Sequence, residues 1–210
     1  MKIPLRTVVF LISSAVSGVA LSAPRHEYFG SIPLHFEPNV GQTDSTAQFT
    51  ARTPGMDLYI TGHGTMMVMN GSAVIRMEPP GAKETTGLQK LPGVSNYFLG
   101  NDPKQWRTGV PHYARVESKG IYPGIDVVYY GSGRQVEYDF IVAPGADPDQ
   151  IRLAFEGPES VTLNTAGDIV LRTSAGDLVQ KRPRKLKRGI YSTAIKPRFT
   201  WPFMTGANRW

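Results

Sequence analysis

Apolar and polar side chains alternate along two runs between Ile125 and Val142, which flank the turn sequence Gly131-Ser132-Gly133. Side chains in a strand point alternately to its two faces, so the pattern predicts a β-hairpin with one apolar face. Both runs can present their apolar residues to that face only if the connecting loop has an even number of residues. The predicted apolar face contains six large side chains: Ile125, Val127, Tyr129, Val136, Tyr138 and Phe140.

Two loop lengths satisfy the parity condition. A two-residue Ser132-Gly133 loop pairs Tyr129 with Val136, and a four-residue Tyr130–Gly133 loop is the alternative. A three-residue loop would turn one apolar set toward water, so it is disfavoured.

Either even loop brings Asp126 near Glu137 or Asp139 on the polar face, where opposed like charges are destabilising. Calcium binds carboxylate and carbonyl oxygens, so the functional interpretation is a Ca²⁺ site formed by these three residues. The simpler interpretation is a solvated face neutralised by Arg115 or Arg134, because no aspartate-rich loop with calcium spacing surrounds them. A pair of carboxylates could also serve a carbohydrate-active hydrolase.

Short alternating runs separated by turn sequences continue on both sides of this hairpin. They predict strands in two antiparallel meanders, whereas the stretch 79–92, rich in Pro, Gly, Lys and Thr, predicts a long exposed loop. No long stretch keeps a helical period. We therefore predict an all-β, mainly antiparallel, two-sheet sandwich-like domain over residues 24–183, with these strands: 47–52, 56–61, 65–69, 73–78, 113–116, 151–155, 161–163, 169–172 and 178–181.

Exposed aromatic side chains can stack on sugars or on protein surfaces. Trp106 follows a predicted turn at Pro103 and precedes Arg107, so these two residues are the best surface candidates. Tyr130 lies on the polar face of the hairpin and joins them as a candidate ligand-binding residue. The expected partner is a protein or a glycan at the cell surface.

The N-terminus has the three parts of a secretory signal peptide over residues 1–23: Lys2 and Arg6, an apolar run, and a small-residue end at Ala20–Ala23. The apolar run of about fifteen residues is short for a membrane span, which needs roughly twenty. We expect cleavage, export, and no stable membrane span afterwards. The chain has no cysteine, so neither a disulfide framework nor a thiol nucleophile is available.

Charge is unevenly distributed along the chain. All 17 acidic residues precede Lys181, whereas 9 of the 23 basic residues lie from Lys181 onward. The net charge of +6 therefore belongs to the C-terminal part, and a basic pI is no argument for nucleic-acid binding. Residues 184–210 are interpreted as a non-native or disordered tail, an out-of-frame remnant that leaves the domain without its last strands. The alternative for the basic run Lys181 to Arg188 is a patch that attracts polyanions or anionic lipids.

Four segments between about Ile32 and Pro183 carry a family resemblance: PLHFEPNVGQTD from Pro33, NYFLGNDPKQWRTGVPHYARV from Asn96, GIYPGIDVVYYGSGRQVEYDFIVAPGADP from Gly120 and IRLAFEG from Ile151. They resemble an uncharacterised N-terminal domain of bacterial secreted proteins that often carry SBBP-type, propeller-like repeats. The resemblance implies a β-rich exported module of surface proteins with no established activity, so no functional residue is transferred from it.

Catalytic and metal-binding motifs are absent from the sequence. Its four histidines are scattered, with no His-x-His or His-Glu-x-x-His spacing, so the spacing predicts no zinc site. No serine lies in a Gly-x-Ser-x-Gly elbow. The repeated Gly-Asp pairs at Gly167-Asp168 and Gly176-Asp177 indicate tight turns more than calcium ligands. The predicted function is an exported, non-catalytic structural, adhesive or interaction module of a bacterial surface protein.

Overall fold

β-Strands provide nearly all the regular structure of the residues that this computed structural model describes, namely 33–78, 82, 84–133, 135–187 and 190–196. The predicted signal peptide and residues 197–210 lie outside that set. The strands are β1 (Phe36–Pro38), β2 (Ala47–Thr53), β3 (Met56–Thr61), β4 (Gly64–Met69), β5 (Ala73–Glu78), β6 (Glu84–Tyr97), β7 (Arg107–Tyr122), β8 (Ile125–Ser132), β9 (Gln135–Val142), β10 (Ala154–Glu156), β11 (Ser160–Leu163), β12 (Ile169–Thr173), β13 (Gly176–Gln180), β14 (Arg184–Lys187) and β15 (Ile190–Lys196).

All fifteen strands belong to one hydrogen-bonded antiparallel sheet in the order β10-β5-β4-β3-β2-β1-β7-β8-β9-β15-β13-β12-β11. Two strands lie off this path, because β6 pairs only with β7 and β14 pairs only with β15. The sheet curls, since Tyr138 of β9 places its hydroxyl 3.6 Å from the sulfur of Met77 on β5, far away in the strand order. The apolar faces therefore meet in one core, and the predicted all-β, sandwich-like fold is confirmed.

The β8–β9 hairpin confirms the parity prediction and corrects the register. Ser132 pairs with Gln135, so the connection has two residues, an even number. Tyr129 consequently pairs with Tyr138 and not with Val136, and the predicted pairing is wrong by two positions. A shift of two residues keeps every side chain on its face. The six apolar residues of the predicted face are indeed all in the core, each at most 2% exposed: Ile125, Val127, Tyr129, Val136, Tyr138 and Phe140.

The predicted long loop over residues 79–92 is wrong from Glu84 onward, because Glu84–Tyr97 forms strand β6 along β7. Proline, which has no N–H to donate, signalled a loop. Pro92, however, lies where the β6–β7 register shifts between Lys90 and Val94. An edge strand tolerates proline at such a bulge, since no ladder hydrogen bond is lost there.

The described part of residues 184–210, predicted to be a non-native or disordered tail, forms strands β14 and β15 and is therefore not disordered. Strand β15 lies between β9 and β13, and its pairing with β9 runs without a shift from Ile190↔Ile141 to Ile195↔Val136. A strand in the middle of a sheet satisfies its backbone groups on both sides. The excess of basic residues, which suggested a remnant, is therefore compatible with sheet formation.

The remaining local predictions agree with the structure in most places. The meander β2-β3-β4-β5 and the meander β11-β12-β13 both form. Single 3₁₀ turns begin at Pro103 and at Pro148, each capped by the carboxylate of the preceding aspartate. The predicted strand at 151–155 is shorter and begins at Ala154. No helix among the described residues has the length and apolar character that a membrane crossing requires.

Candidate functional site

A cluster of polar side chains forms around Glu37, on the face of β1 opposite to the core. Phe36 is fully buried and pairs with Ala51 on β2 and with Tyr113 on β7. Because side chains alternate along a strand, the neighbouring Glu37 points away from that core. In the same register it lies beside His112 of β7.

Five side chains, which we call the Glu37 cluster, contribute to this site: His35, Glu37, Ser95, Tyr97 and His112. One carboxylate oxygen of Glu37, Oε1, accepts a hydrogen bond from Ser95 Oγ at 2.5 Å. The same oxygen lies 3.2 Å from His35 Nε2 and 3.3 Å from His112 Nε2. Its second oxygen, Oε2, accepts the hydroxyl hydrogen of Tyr97. Glu37 is only 7% exposed, and these contacts satisfy it where water does not reach.

The two histidines of the cluster are stacked. Their ring centroids lie 3.7 Å apart with 20° between the planes. His112 Nε2 also lies 2.7 Å from Ser95 Oγ, and its ring passes over Gly93, where any Cβ would lie 2.8 Å from Nδ1. A glycine on β6 therefore leaves the space that this imidazole occupies.

Hydrogen bonding controls the charge of the cluster. Burial alone would raise the pKa of Glu37, but the hydrogen bonds from Ser95, Tyr97 and His35 outweigh it and lower that pKa. Burial and the hydrogen bond to Glu37 raise the pKa of Tyr97 to about 12. Burial, together with the neighbouring His35, lowers the pKa of His112. The cluster is thus arranged around an ionised glutamate and a tyrosine that remains a donor.

Ser95, His112 and Glu37 have the residue types of a hydrolytic triad but not its geometry. In a triad the carboxylate holds one imidazole nitrogen and the serine approaches the other. Here Glu37 and Ser95 both contact the same nitrogen, Nε2 of His112. The hydroxyl hydrogen of Ser95 is also directed to Glu37, so the histidine does not receive it. The arrangement holds a carboxylate and two imidazoles together and does not activate the serine.

The acidic residues predicted from the hairpin lie apart from this cluster and are bound separately. Asp126 accepts the backbone N–H of Gly120 at 2.7 Å, and Asp139 accepts the hydroxyl of Tyr130 at 2.8 Å. In the observed register Asp126 faces Ile141, so it does not directly oppose an acid. In the described part of the chain, the only three residues whose ligand atoms converge within 4.8 Å are His35, Glu37 and His112. The calcium site at the hairpin acids stays a prediction.

Trp106 and Arg107 are brought together, and Tyr130 lies elsewhere. Arg107 donates from Nη1 to the carbonyl of Trp106 at 3.2 Å. Tyr130 instead packs under the guanidinium of Arg115, further along β7, with 5.2 Å between the guanidinium carbon and the ring centroid. The binding roles predicted for these three residues stay predictions, and the structure divides them between two surfaces.

The end of the β6–β7 hairpin exposes large apolar side chains that we call the hairpin tip. Phe98 is 64% exposed and meets Trp106 edge to face, with 5.1 Å between ring centroids. Val40 is joined to the tip because its carbonyl accepts from Arg107 Nε at 2.9 Å. Five of the seven exposed large hydrophobic residues in the described ranges belong to this end of the molecule: Val40, Val94, Phe98, Leu99 and Trp106.

Two further features lie outside the Glu37 cluster and the hairpin tip. An open groove of about 470 Å³ lies along β3 and β4, lined by threonines, His63, Met66 and Arg76. The first Gly-Asp turn is held by an ion pair, because Lys181 Nζ donates to Asp168 at 2.6 Å. That carboxylate serves to join β13 to the turn before β12.

Sequence reasoning missed the Glu37 cluster because its members come from three separate segments. His35 and Glu37 are two positions apart on an extended strand and therefore share a face. That spacing was a usable signal, but only the β1–β7 pairing shows that His112 lies beside them. The histidines are scattered along the sequence, and the fold nevertheless stacks His35 on His112.

Comparisons with known proteins give one match. A family model described as "Domain of unknown function (DUF7948)" matches residues 36–199. No match is found among curated proteins or among solved structures. The matched range runs from β1 to beyond β15 and so includes β14 and β15, which the tail interpretation had excluded. The chain therefore belongs to the DUF7948 family, a domain of unknown function.

Proposed function

We propose that this chain is an exported, non-catalytic interaction module that binds a partner protein through the hairpin tip. The observation that carries the proposal is the contact between the exposed rings of Phe98 and Trp106, with Leu99, Val94 and Val40 exposed along or beside the same hairpin. Contiguous exposed apolar surface commonly marks an interaction site on a soluble domain. Aromatic residues and arginine are also the types most enriched where binding energy concentrates.

The tip is held in place by its own hydrogen bonds. Trp106 Nε1 donates to the carbonyl of Gly100 at 3.2 Å, and the side chain of Asp102 caps the 3₁₀ turn through the N–H of Lys104 at 3.0 Å. Arg107 binds the carbonyl of Val40. A preorganised surface loses little conformational entropy on binding, so the tip is suited to recognition.

The same hydrogen bonds favour a protein over a glycan as the partner. Sugar recognition combines an aromatic platform with donors and acceptors for the hydroxyl groups. Here the indole N–H of Trp106 and two guanidinium nitrogens of Arg107 are already engaged with backbone carbonyls. The surface that remains is mostly Phe98, Leu99 and Val94, which suits apolar protein side chains.

The charges at the tip indicate the character of the partner. Lys104 and Arg107 flank the apolar residues, and Asp102 caps the 3₁₀ turn. Hydrogen bonds neutralise none of these charges, so two cations against one carboxylate leave this edge with a net positive charge. An apolar segment bordered by acidic side chains would complement it.

Export and surface location are part of this proposal. They are supported by the signal-peptide pattern of residues 1–23 and by the resemblance to secreted proteins with propeller-like repeats. The non-catalytic role is supported by the geometry of Ser95 and His112, which differs from that of a hydrolytic triad.

The test is binding to a fraction of cell-surface proteins by wild type and by a Phe98→Ala/Trp106→Ala double variant. A Val161→Ala/Leu163→Ala variant is the matched control, because these residues of β11 are each 42% exposed and lie outside the tip. We expect one protein to be retained by wild type and control, and lost by the tip variant. High salt should weaken that retention.

Two results would contradict the proposal. One is an identical set of retained proteins for all three forms. The other is binding to a glycan array that depends on Phe98 and Trp106, which would make the domain a carbohydrate-binding module instead.

A further inference from the structure

We propose that His35, Glu37 and His112 bind a first-row divalent metal ion, Zn²⁺ fitting best. Two imidazoles and one carboxylate form a recurrent zinc donor set that leaves a fourth position open. The three ligand atoms are His35 Nε2, Glu37 Oε1 and His112 Nε2, and all lie within 4.8 Å of one another.

Two of the three distances between ligand atoms match a tetrahedral ion. With metal–ligand bonds of roughly 2.0 to 2.1 Å, neighbouring ligands of a tetrahedral zinc lie about 3.3 Å apart. Glu37 Oε1 lies 3.2 Å from one imidazole nitrogen and 3.3 Å from the other. Calcium, which prefers six to eight oxygen ligands, does not suit a site with two imidazoles.

Groups around the ligands hold them in the required state. Nδ1 of His35 lies 3.3 Å from the carbonyl oxygen of Pro33. On metal binding, a proton on Nδ1 keeps that carbonyl satisfied, and Nε2 exchanges its hydrogen bond to Glu37 for a bond to the ion. Tyr97 binds the carboxylate oxygen that is not shared with the histidines. Such bonds to carbonyls and carboxylates typically orient metal ligands.

Metal binding requires one imidazole ring to move. The two rings are stacked with only 20° between their planes, so one ring must tilt for both Nε2 atoms to point at one ion. His112 is held by Ser95 and by the space over Gly93. His35 precedes β1 and its side chain is 24% exposed, against 14% for His112, so His35 is the ring that turns. Its exposed side also provides the entry path.

The test uses the purified full chain after dialysis against a chelator, titrated with Co²⁺ and then with Zn²⁺. We expect one equivalent of Co²⁺ to give the visible absorption of a four-coordinate ion, and Zn²⁺ to displace it. His35→Gln, His112→Gln and Glu37→Gln should each abolish the absorption. His63→Gln, an exposed histidine on the β3–β4 turn, is the matched control and should leave it unchanged.

Folding of the variants is checked separately. His35→Gln changes the most exposed ligand, and a circular dichroism spectrum like that of wild type shows that the sheet persists. Tyr97→Phe keeps all three ligands and should weaken Co²⁺ affinity by about tenfold or more. Absence of the absorption in wild type, or equal absorption in wild type and His35→Gln, would overturn the proposal.

Discussion

The three acids of the β8–β9 hairpin and the single carboxylate of Glu37 differ in how they are surrounded. The hairpin acids Asp126, Glu137 and Asp139 lie close together in sequence, yet Asp126 and Asp139 each have a separate hydrogen-bond donor. Glu37 has no acidic neighbour in sequence, yet side chains from three segments converge on it. The comparison teaches that adjacency along a hairpin does not build a site, whereas adjacency across strands β1, β7 and β6 does.

Burial explains why the surroundings of Glu37 are more organised than those of the hairpin acids. An ionised carboxylate that is 7% exposed must be compensated by hydrogen bonds. Asp139 and Glu137 are half-buried and keep access to water. The loss of unfolding free energy on removing a carboxylate should therefore be larger at Glu37 than at the hairpin acids, and mutations can measure the difference.

The largest expected effect comes from Glu37→Ala. It removes the acceptor of Ser95 and Tyr97 in a buried site, so the free energy of unfolding should fall by about 3 kcal/mol. Glu137→Ala on β9 is the matched control and should change it by less than about 0.5 kcal/mol. Urea unfolding of both variants measures the values. Equal losses of unfolding free energy in the two variants would contradict the predicted difference between Glu37 and the hairpin acids.

Asp168 gives the next largest effect and shows the pH dependence. Burial would raise its pKa, but the hydrogen bond from Lys181 and the N–H of Arg182 outweigh it and lower the pKa. A carboxylate with a depressed folded pKa stabilises the fold above its unfolded pKa of about 4 and loses that contribution as pH falls through the folded value.

Asp168→Asn should therefore lower the free energy of unfolding by about 1 to 2 kcal/mol at neutral pH. The gap between wild type and variant should narrow as pH falls below about 4. Urea titrations at several pH values measure the gap. A gap that widens in acid would contradict the assignment of an ionised, paired Asp168.

Two tyrosine-to-phenylalanine substitutions compare Glu37 with the hairpin acids, because each removes one hydroxyl group that donates to a carboxylate. Tyr97 donates to Glu37 and Tyr130 donates to Asp139 at 2.8 Å. Tyr97→Phe should cost about 1 kcal/mol, because a buried carboxylate oxygen loses its donor. Tyr130→Phe should cost about half as much, since water can replace the hydroxyl. Thermal melts of both variants test this order, and the reverse order would contradict it.

The smallest expected effect is that of added Ca²⁺ on the melting temperature. Because the hairpin acids do not converge as the Glu37 ligands do, adding Ca²⁺ should leave the melting temperature unchanged. A rise in melting temperature that disappears in Asp126→Asn would show that these carboxylates form a cation site after all.

Much of the fold could be predicted from local patterns. Alternation identified the apolar face of β8 and β9, and turn residues located the meander β2 to β5. Parity restricted the hairpin loop to an even length but could not choose among even registers, because a shift of two residues preserves both faces. The pairing of Tyr129 with Tyr138 was therefore not available from sequence.

The strands and the site that local patterns did not predict depend on pairings between segments distant in sequence. Strand β6 contains Pro92 and glycines, and only its partner β7 makes it a strand. Strand β15 lacks acidic residues but fills the space between β9 and β13. The Glu37 cluster needs the β1–β7 register, which no local pattern of Glu37 or His112 encodes.

The most direct test of the Glu37 cluster as the organised site of this protein is anomalous diffraction at the zinc edge, from crystals of the full chain grown with Zn²⁺. We predict a peak bonded to His35 Nε2, Glu37 Oε1 and His112 Nε2, with the His35 ring tilted out of its stack. A map without a peak there, and with the hydrogen bond from Ser95 to Glu37 and the contact between Ser95 Oγ and His112 Nε2 unchanged, would contradict the account.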